Sequence, residues 1–416
     1  MNFRFMVRRS LSQHRLSSWL AAASIAAGVA LLAAVTSLRE QTHRNFTQEG
    51  LGVDAVLGPK GSPLQIVLCA LYHLEDMPGK VKWTYYQEVL EDSRVTGGIP
   101  FATGHSYAGF RVNAIDGRFF GGFQYLPGKR FSFDPAKGGR GRAFARKGEA
   151  VAGYEAARAL GARLGDSFNP VCGVNDGDPV HANDSIAFVG VMAPTGTPHD
   201  RAIYIPLENF YALGGHGGDV AKMEEQLEHR EISGAYLALR HVRGGAMHPG
   251  VQGLKYEINQ SARAQLVIPA EELPRLFSII GWADRVVLAI SILVTALAGL
   301  FLFVSLASAL KDRRRDLALL RCLGATRARV CGLVLAESCV MAVAGAAAGL
   351  LAGHGLVALG AYFIRTEIGL RFTAAHMGSA DLWALPLAAA LGLAAGLLPA
   401  RQAYRLGVLE NLELTS

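Results

Sequence analysis

The sequence predicts an α-helical membrane protein with four transmembrane helices and a large mixed α/β extracytoplasmic domain inserted between helices 1 and 2. Three observations carry this reading. Residues 16–38, 286–310 and 382–400 are uncharged runs of 23, 25 and 19 residues, and residues 330–364 form a run of 35 broken only by Glu337. A helix needs about 20 apolar residues to cross a hydrocarbon core of roughly 30 Å, so each run matches one crossing. Charged residues make up 18% of the chain, against about a quarter in soluble proteins, and the 51% hydrophobic content excludes a disordered or fibrous chain. Finally, the +7 net charge is unevenly placed. Residues 1–15 hold four Arg and no acid, and residues 311–329 hold seven basic against two acidic residues, whereas residues 39–285 carry 26 basic and 27 acidic ones. Basic residues flanking apolar runs mark the cytoplasmic side, so the charge reports topology and not a nucleic-acid partner.

The elements follow in order. Residues 1–15 form a cytoplasmic basic leader and 16–38 the first crossing. Such a leader also opens a signal peptide, but this run is longer than a signal core and no small-x-small cleavage pattern follows, so it is read as an anchor. Residues 39–285 form the extracytoplasmic domain, 286–310 the second crossing and 311–329 a cytoplasmic loop. The third crossing lies within 330–359, because 35 residues at about 1.5 Å each would overrun one bilayer. Residues 360–381 return outside, 382–400 cross for the fourth time, and 401–416 form a cytoplasmic tail. Both termini are then inside.

Within the outer domain, residues 39–49 continue the first helix, and residues 63–74 are a short apolar stretch that packs on the domain or lies at the membrane surface. Residues 81–92 and 154–164 read as helices, the latter closed by Gly165. Residues 110–115, 187–192, 202–205 and 235–239 read as strands, residues 137–146 as an exposed loop, and residues 195–200 as a turn. Residues 269–284 open a helix that runs directly into the second crossing, forming a rod that would transmit displacement. Cys69 and Cys172 could pair in an oxidising compartment or remain two buried free thiols; no zinc-type cysteine spacing is present.

Four features invite functional readings. Residues 311–337 place a basic cluster after the second crossing, then Leu317, Leu320 and Gly324 on one helical face with Leu319 and Leu323 beside it. This describes an amphipathic helix ended by Gly324, which anionic lipid alone would also attract. Glu337 is an intramembrane carboxylate, functional by default through proton relay or through pairing with a base such as Arg321. Gly345, Gly349 and Gly353 recur every four residues, a ridge that permits close helix approach, either within one chain or between two. His216, His229, His241 and His248 near Glu224, Glu225 and Glu228, and the loop with Asp176, Asp178, His181 and Asp184, contain ligand types that suit zinc, though solvated loop residues explain them as well. No catalytic constellation and no phosphate-binding G-x-x-x-x-G-K-[ST] is visible; residues 58–62 have a Lys and a Ser in the wrong frame.

The segment RRRDLALLRCLGAT at 313–326, followed by a helix carrying Glu337, resembles the permease subunits of FtsX, MacB and LolC/LolE-type ABC transporters. The ending LPARQA at 398–403, then LENL at 409–412, is similar to that family's close, and residues 149–168 and 186–192 resemble the MacB-like periplasmic core. The resemblance implies a non-catalytic permease subunit in the bacterial inner membrane. Its cytoplasmic helix would engage a separate ABC ATPase, with Leu317, Leu320 and Leu323 in a groove and Arg314, Arg315 and Arg321 at its rim. ATP and Mg would be bound on that partner and no cofactor on this chain. It further implies a second permease chain, as a homodimer, and a periplasmic adaptor or binding protein. ATP-driven motion would pass to the outer domain by mechanotransmission, for export or extraction of a substrate. Lipoprotein release, regulation of an external hydrolase and zinc-linked transport share this layout; a sensor or adhesion protein would need no ATPase.

Overall fold

Apolar runs rich in Ala and Leu become long helices, the fourth one despite Pro386 and Pro399 within it. The computed structural model describes residues 9, 15–47, 52–173, 178–181, 183–213, 230–242, 245–312, 314–368 and 372–404. The chain divides into two units: Met1–His43, Ile280–Tyr362 and Phe372–Ser416 form one, and Arg44–Ile279 with Phe363–Arg371 the other.

Four helices, Arg15–Thr47, Pro269–Asp312, Arg327–Ile368 and Ser379–Tyr404, are the long elements. They contain stretches long and apolar enough to span a bilayer: Trp19–Thr42, Arg285–Lys311, Arg327–Thr366 and Ala380–Tyr404. Each helix outlasts its uncharged run, because adding a residue to a formed helix gains a hydrogen bond whatever the side chain. The core of the first unit is built from small residues, among them Ala21, Ala298, Ala342, Ala346 and Ala388, around Ile25, Val29, Leu302 and Met341. On the outside, Leu293, Leu297 and Leu300 are each more than half exposed, as suits a surface solvated by lipid.

Glycines bring the backbones together. A Cβ at Gly345, Gly349 or Gly353 would sit 2.6, 2.6 or 2.8 Å from the carbonyl oxygens of Ala22, Ala26 and Ala30. The ridge therefore packs against the first helix of its own chain. The matching numbers rise together, so the first and third helices run parallel. Gly28 meets Thr295, Gly299 meets Leu391, and Gly392 and Gly396 meet Ser338, so every helix is in contact through at least one missing side chain. At one end, Gln41 Oε1 accepts the Thr373 N–H at 2.7 Å and its Nε2 donates to the Thr373 carbonyl at 3.1 Å. Glu40 pairs with His376 at 3.1 Å, and His354 Nε2 lies 3.5 Å from Asp381.

The second unit holds fifteen described strands: β1 (Ala55–Gly58), β2 (Val81–Lys82), β3 (Val95–Tyr107), β4 (Phe110–Ile115), β5 (Gln124–Leu126), β6 (Lys129–Arg130), β7 (Arg140–Gly141), β8 (Glu149–Ala152), β9 (Ser167–Phe168), β10 (Val171–Cys172), β11 (Ile186–Val191), β12 (Ile203–Pro206), β13 (Glu231–Ile232), β14 (Gly234–Leu239) and β15 (Gln265–Val267). The main sheet runs β15-β1-β14-β3-β4-β12-β8-β11-β7, with β10 on β3 and β9 on β11. It is mixed: β4 with β12 and β8 with β11 are parallel. Side chains alternate between its faces. Ala150, Ala152, Ile203, Ile205, Ala235 and Leu237 enter one core, covered by the helices Trp83–Glu91, Tyr154–Leu160, Leu207–Ala212 and Gly250–Gln260. Val151, Tyr204 and Tyr236 enter the other, beneath the helix Pro63–Tyr72 and the phenylalanines 119, 120, 123, 131 and 144. The stretch from residue 63 thus packs on the domain, with Ile66, Val67 and Leu71 fully buried.

Several expectations shift. The helix from Tyr154 ends at Leu160, not at residue 164, because Gly161 (φ 64°) takes the left-handed cap first. The loop at 137–146 is tethered: Arg142 makes a bidentate bond to the buried Glu149, which also accepts from the Ala145 N–H and from Arg146. Arg142 and the Ala145 N–H hold that carboxyl down at about 2. Cys69 and Cys172 are free thiols, and burial pushes the Cys69 thiol up to about 11.

Inside the aromatic layer, His73, on the left-handed cap of the helix Pro63–Tyr72, contacts Asn113, Tyr204 and His199 at 3.2, 3.2 and 3.4 Å. His199 Nδ1 lies 2.6 Å from the Tyr204 hydroxyl. Burial, and then the Arg111 charge, lowers His73 to about 4; burial, and then His73, lowers His199 well below its usual value. Both are neutral in the fold, whereas in the unfolded chain they bind protons below about pH 6.5. The stability they confer is therefore complete above about pH 6.5 and is lost as pH falls towards 4, by about 3 kcal/mol for His73 alone. Near-UV circular dichroism melts of the detergent-solubilised chain should show this decline, and His199→Phe should lessen it while leaving the part due to His73. Equal melting temperatures at pH 7 and pH 4.5 would contradict the argument.

Candidate functional site

After the second long helix, residues Arg314–Cys322 form a separate nine-residue helix. Its end is a Schellman turn: the Ala325 N–H bonds the Leu320 carbonyl and the Gly324 N–H bonds the Arg321 carbonyl, both at 3.0 Å. Gly324 adopts φ 94°, which costs little only in glycine. Thr326 then caps the third long helix, its hydroxyl accepting the Arg329 N–H at 3.3 Å. Two sharp signals two residues apart thus fix how the short helix is presented.

Leu317 is buried and packs with Leu310, Val330, Leu333, Val334, Ala400 and Ala403, and the half-buried Leu320 lies against them. The expectation that Leu317 and Leu320 fill a partner's groove is corrected here: that face is the helix's own anchor. The apolar residues turned outward are Leu319 and Leu323, 46% and 85% exposed, with Cys322 and Gly324 exposed beside them. Arg321 is half-buried at the edge of the anchored face. Arg327 stacks over the Tyr404 ring at 5.9 Å. The side chains of Arg314 and Arg315 lie outside the described residues. An exposed leucine pair with basic neighbours on a capped helix can dock into a groove and be pushed.

Glu337 is buried, 5% exposed, beside the fully buried Ser338. It is therefore part of the bundle interior.

The second unit offers a cleft of 870 Å³ bounded by Asp54, Gly98, Arg118, Phe123, Tyr236 and His241. Gly52 (φ 65°) shapes its rim, where a Cβ would overlap the Gln124 carbonyl. His241 Nε2 lies 3.3 Å from Asp54, and the His248 Nδ1 accepts the Gly250 N–H at 3.0 Å. His216, His229, Glu224, Glu225, Glu228 and Asp176 lie outside the described residues. The fold gathers His73 with His199, and His105 with His181; of these four only His181 belongs to a patch singled out from sequence, and its partner His105 does not. Near the end of the third long helix, Arg365 Nε donates to Glu155 at 2.5 Å, and Arg201 donates to the Thr366 carbonyl; all four residues belong to the second unit.

Comparison with known proteins places both units. The model of the FtsX-like permease C-terminal domain matches residues 288–408, and that of the MacB-like periplasmic core domain matches residues 18–240. Among solved structures, the crystal structure of the periplasmic region of MacB from Actinobacillus actinomycetemcomitans is similar at 10% identity and a TM-score of 0.33, covering 55% of this chain and 94% of that one. No curated protein sequence matches the chain.

Proposed function

The chain belongs to the MacB/FtsX-type permeases of ABC transporters and is a multi-pass membrane protein, and from that premise we propose that it transmits the motion of a separate ATPase to its outer domain. ATP and Mg are bound by the partner, and this chain contributes no catalytic group. The observation that carries the reading is the capped helix Arg314–Cys322, which holds Leu319 and Leu323 outward on an anchored base. Closure of paired ATPases would displace this helix. The long helices Arg15–Thr47 and Pro269–Asp312 would carry the displacement outward. The work would be done outside, on export or extraction of a cargo, since the bundle interior is mostly Ala and Leu with glycine contacts, a poor lining for a hydrophilic passage.

In this reading the protein lies in the bacterial inner membrane with both termini cytoplasmic. Two such chains pair to match the two ATPases, and a periplasmic adaptor or binding protein acts with the outer domain. Labelling tests the orientation. With Leu323→Cys in a cysteine-free background, a membrane-impermeant maleimide should leave intact spheroplasts unlabelled and react fully after permeabilisation. Labelling of intact spheroplasts would place the helix outside and end the proposal.

A further inference from the structure

Strand β10 brings Cys172 into antiparallel register with His105 of β3. The chain then turns back: the Cys172 N–H bonds the Pro179 carbonyl, and the His181 N–H bonds the Pro170 carbonyl, both at 2.9 Å. Asn169 Nδ2 adds a bond to the His181 carbonyl at 2.9 Å. A strand and a backbone-locked hairpin so bring two imidazoles and a thiol to one place. Their ligand atoms all lie within 4.8 Å of one another, and the two imidazole centroids are 5.1 Å apart. We propose that His105, Cys172 and His181 form a binding site for a divalent transition metal, zinc by preference, with a fourth coordination position open.

The chemistry matches in type and number. Zinc takes thiolate and imidazole at about 2.0–2.3 Å in tetrahedral geometry, so ligand atoms about 3.5 Å apart are needed. Side-chain rotations of about an ångström supply the difference from the observed spread without moving the backbone. The His181 Nδ1 lies 3.8 Å from the Asp184 carboxylate, the outer partner that metal-bound histidines usually have, and this assigns Nε2 to the metal. His105 is 1% exposed and Phe210 stands edge-on to its ring at 5.3 Å, so its rotamer is held. The His181 side chain is 9% exposed, and Cys172 is half-buried, which leaves a route on the thiol side for an ion and for the fourth ligand. The His73 and His199 pair shows the contrast. There, Asn113 and Tyr204 engage three of the four ring nitrogens and phenylalanines pack against His199.

The site stands apart from the coupling reading and is tested without it. The full chain, purified in detergent without a histidine tag and stripped with chelator, is titrated with zinc by calorimetry and with cobalt by absorption spectroscopy. One ion per chain should bind, with a thiolate-to-cobalt charge-transfer band. Cys172→Ser should abolish that band, and both Cys172→Ser and His181→Ala should weaken zinc by about tenfold or more, while His248→Ala changes neither. Metal-free melting temperatures of the variants, equal to that of the unmodified chain, separate ligand loss from misfolding. Absence of saturable binding, or binding that both substitutions leave intact, would overturn the proposal.

Discussion

Leu323→Asp should eliminate capture of the partner ATPase while the permease itself remains folded and inserted. At 85% exposure Leu323 contributes little to its own chain, and substitutions at such positions usually change stability by no more than about 0.5 kcal/mol. Docked in a partner's groove, the same side chain would be desolvated, and a carboxylate in its place would cost about 2 kcal/mol or more, roughly thirtyfold in affinity. Leu317→Asp gives the opposite pattern. Its side chain is 5% exposed among Leu310, Val330, Leu333 and Val334, and an unpaired charge there should reduce the yield of folded protein before any partner is met. Co-purification of the ATPase and stimulation of its hydrolysis in nanodiscs, read beside size-exclusion profiles, distinguish the two. Full coupling by a well-folded Leu323→Asp chain would remove the role given to this helix.

Gly349→Val should unlock the bundle. Even a first methyl would lie 2.6 Å from the Ala26 carbonyl oxygen, 2.9 Å from Val29 Cβ and 3.0 Å from Ala26 Cα, distances that backbone atoms cannot relieve without separating the helices. Overpacking of this kind costs about 1–3 kcal/mol, and the loss should appear as a lowered melting temperature in detergent. Gly360, on the same helix, has open space where its Cβ would be. Gly360→Ala should be neutral or stabilising by up to about 1 kcal/mol, from helix propensity alone. The same response at both positions would mean that the ridge is not a contact surface.

These two positions also mark what sequence reasoning can reach. Uncharged length is enough to find the four long helices, and β-branched and aromatic runs are enough to find β4, β12 and β14. Strand β3 escapes, because Gly97, Gly98, Pro100 and Gly104 weaken its local preference. It forms because β14 and β4 pair with both its edges, and because Leu90 and Leu237 occupy the space a side chain at Gly98 would need. Helical spacing groups Leu317 with Leu320 and Leu319 with Leu323, but periodicity is silent on which group turns inward. That choice depends on Val330 and Ala403, residues from other helices. His105, Cys172 and His181 are hidden for the same reason: their proximity is created by strand pairing, and no spacing within one segment encodes it.

The glycine ridge has a mechanical consequence. Gly345, Gly349 and Gly353 lie against Ala22, Ala26 and Ala30, and Ala34 continues the alanine series. The ridge repeats every four residues, about 6 Å along the axis, and Met341 and Val357 stand where the next glycine on either side would be, so a slide by one repeat would press a large side chain onto an alanine backbone. The first and third helices are thereby keyed to one register, so that displacement of one along its axis carries the other with it.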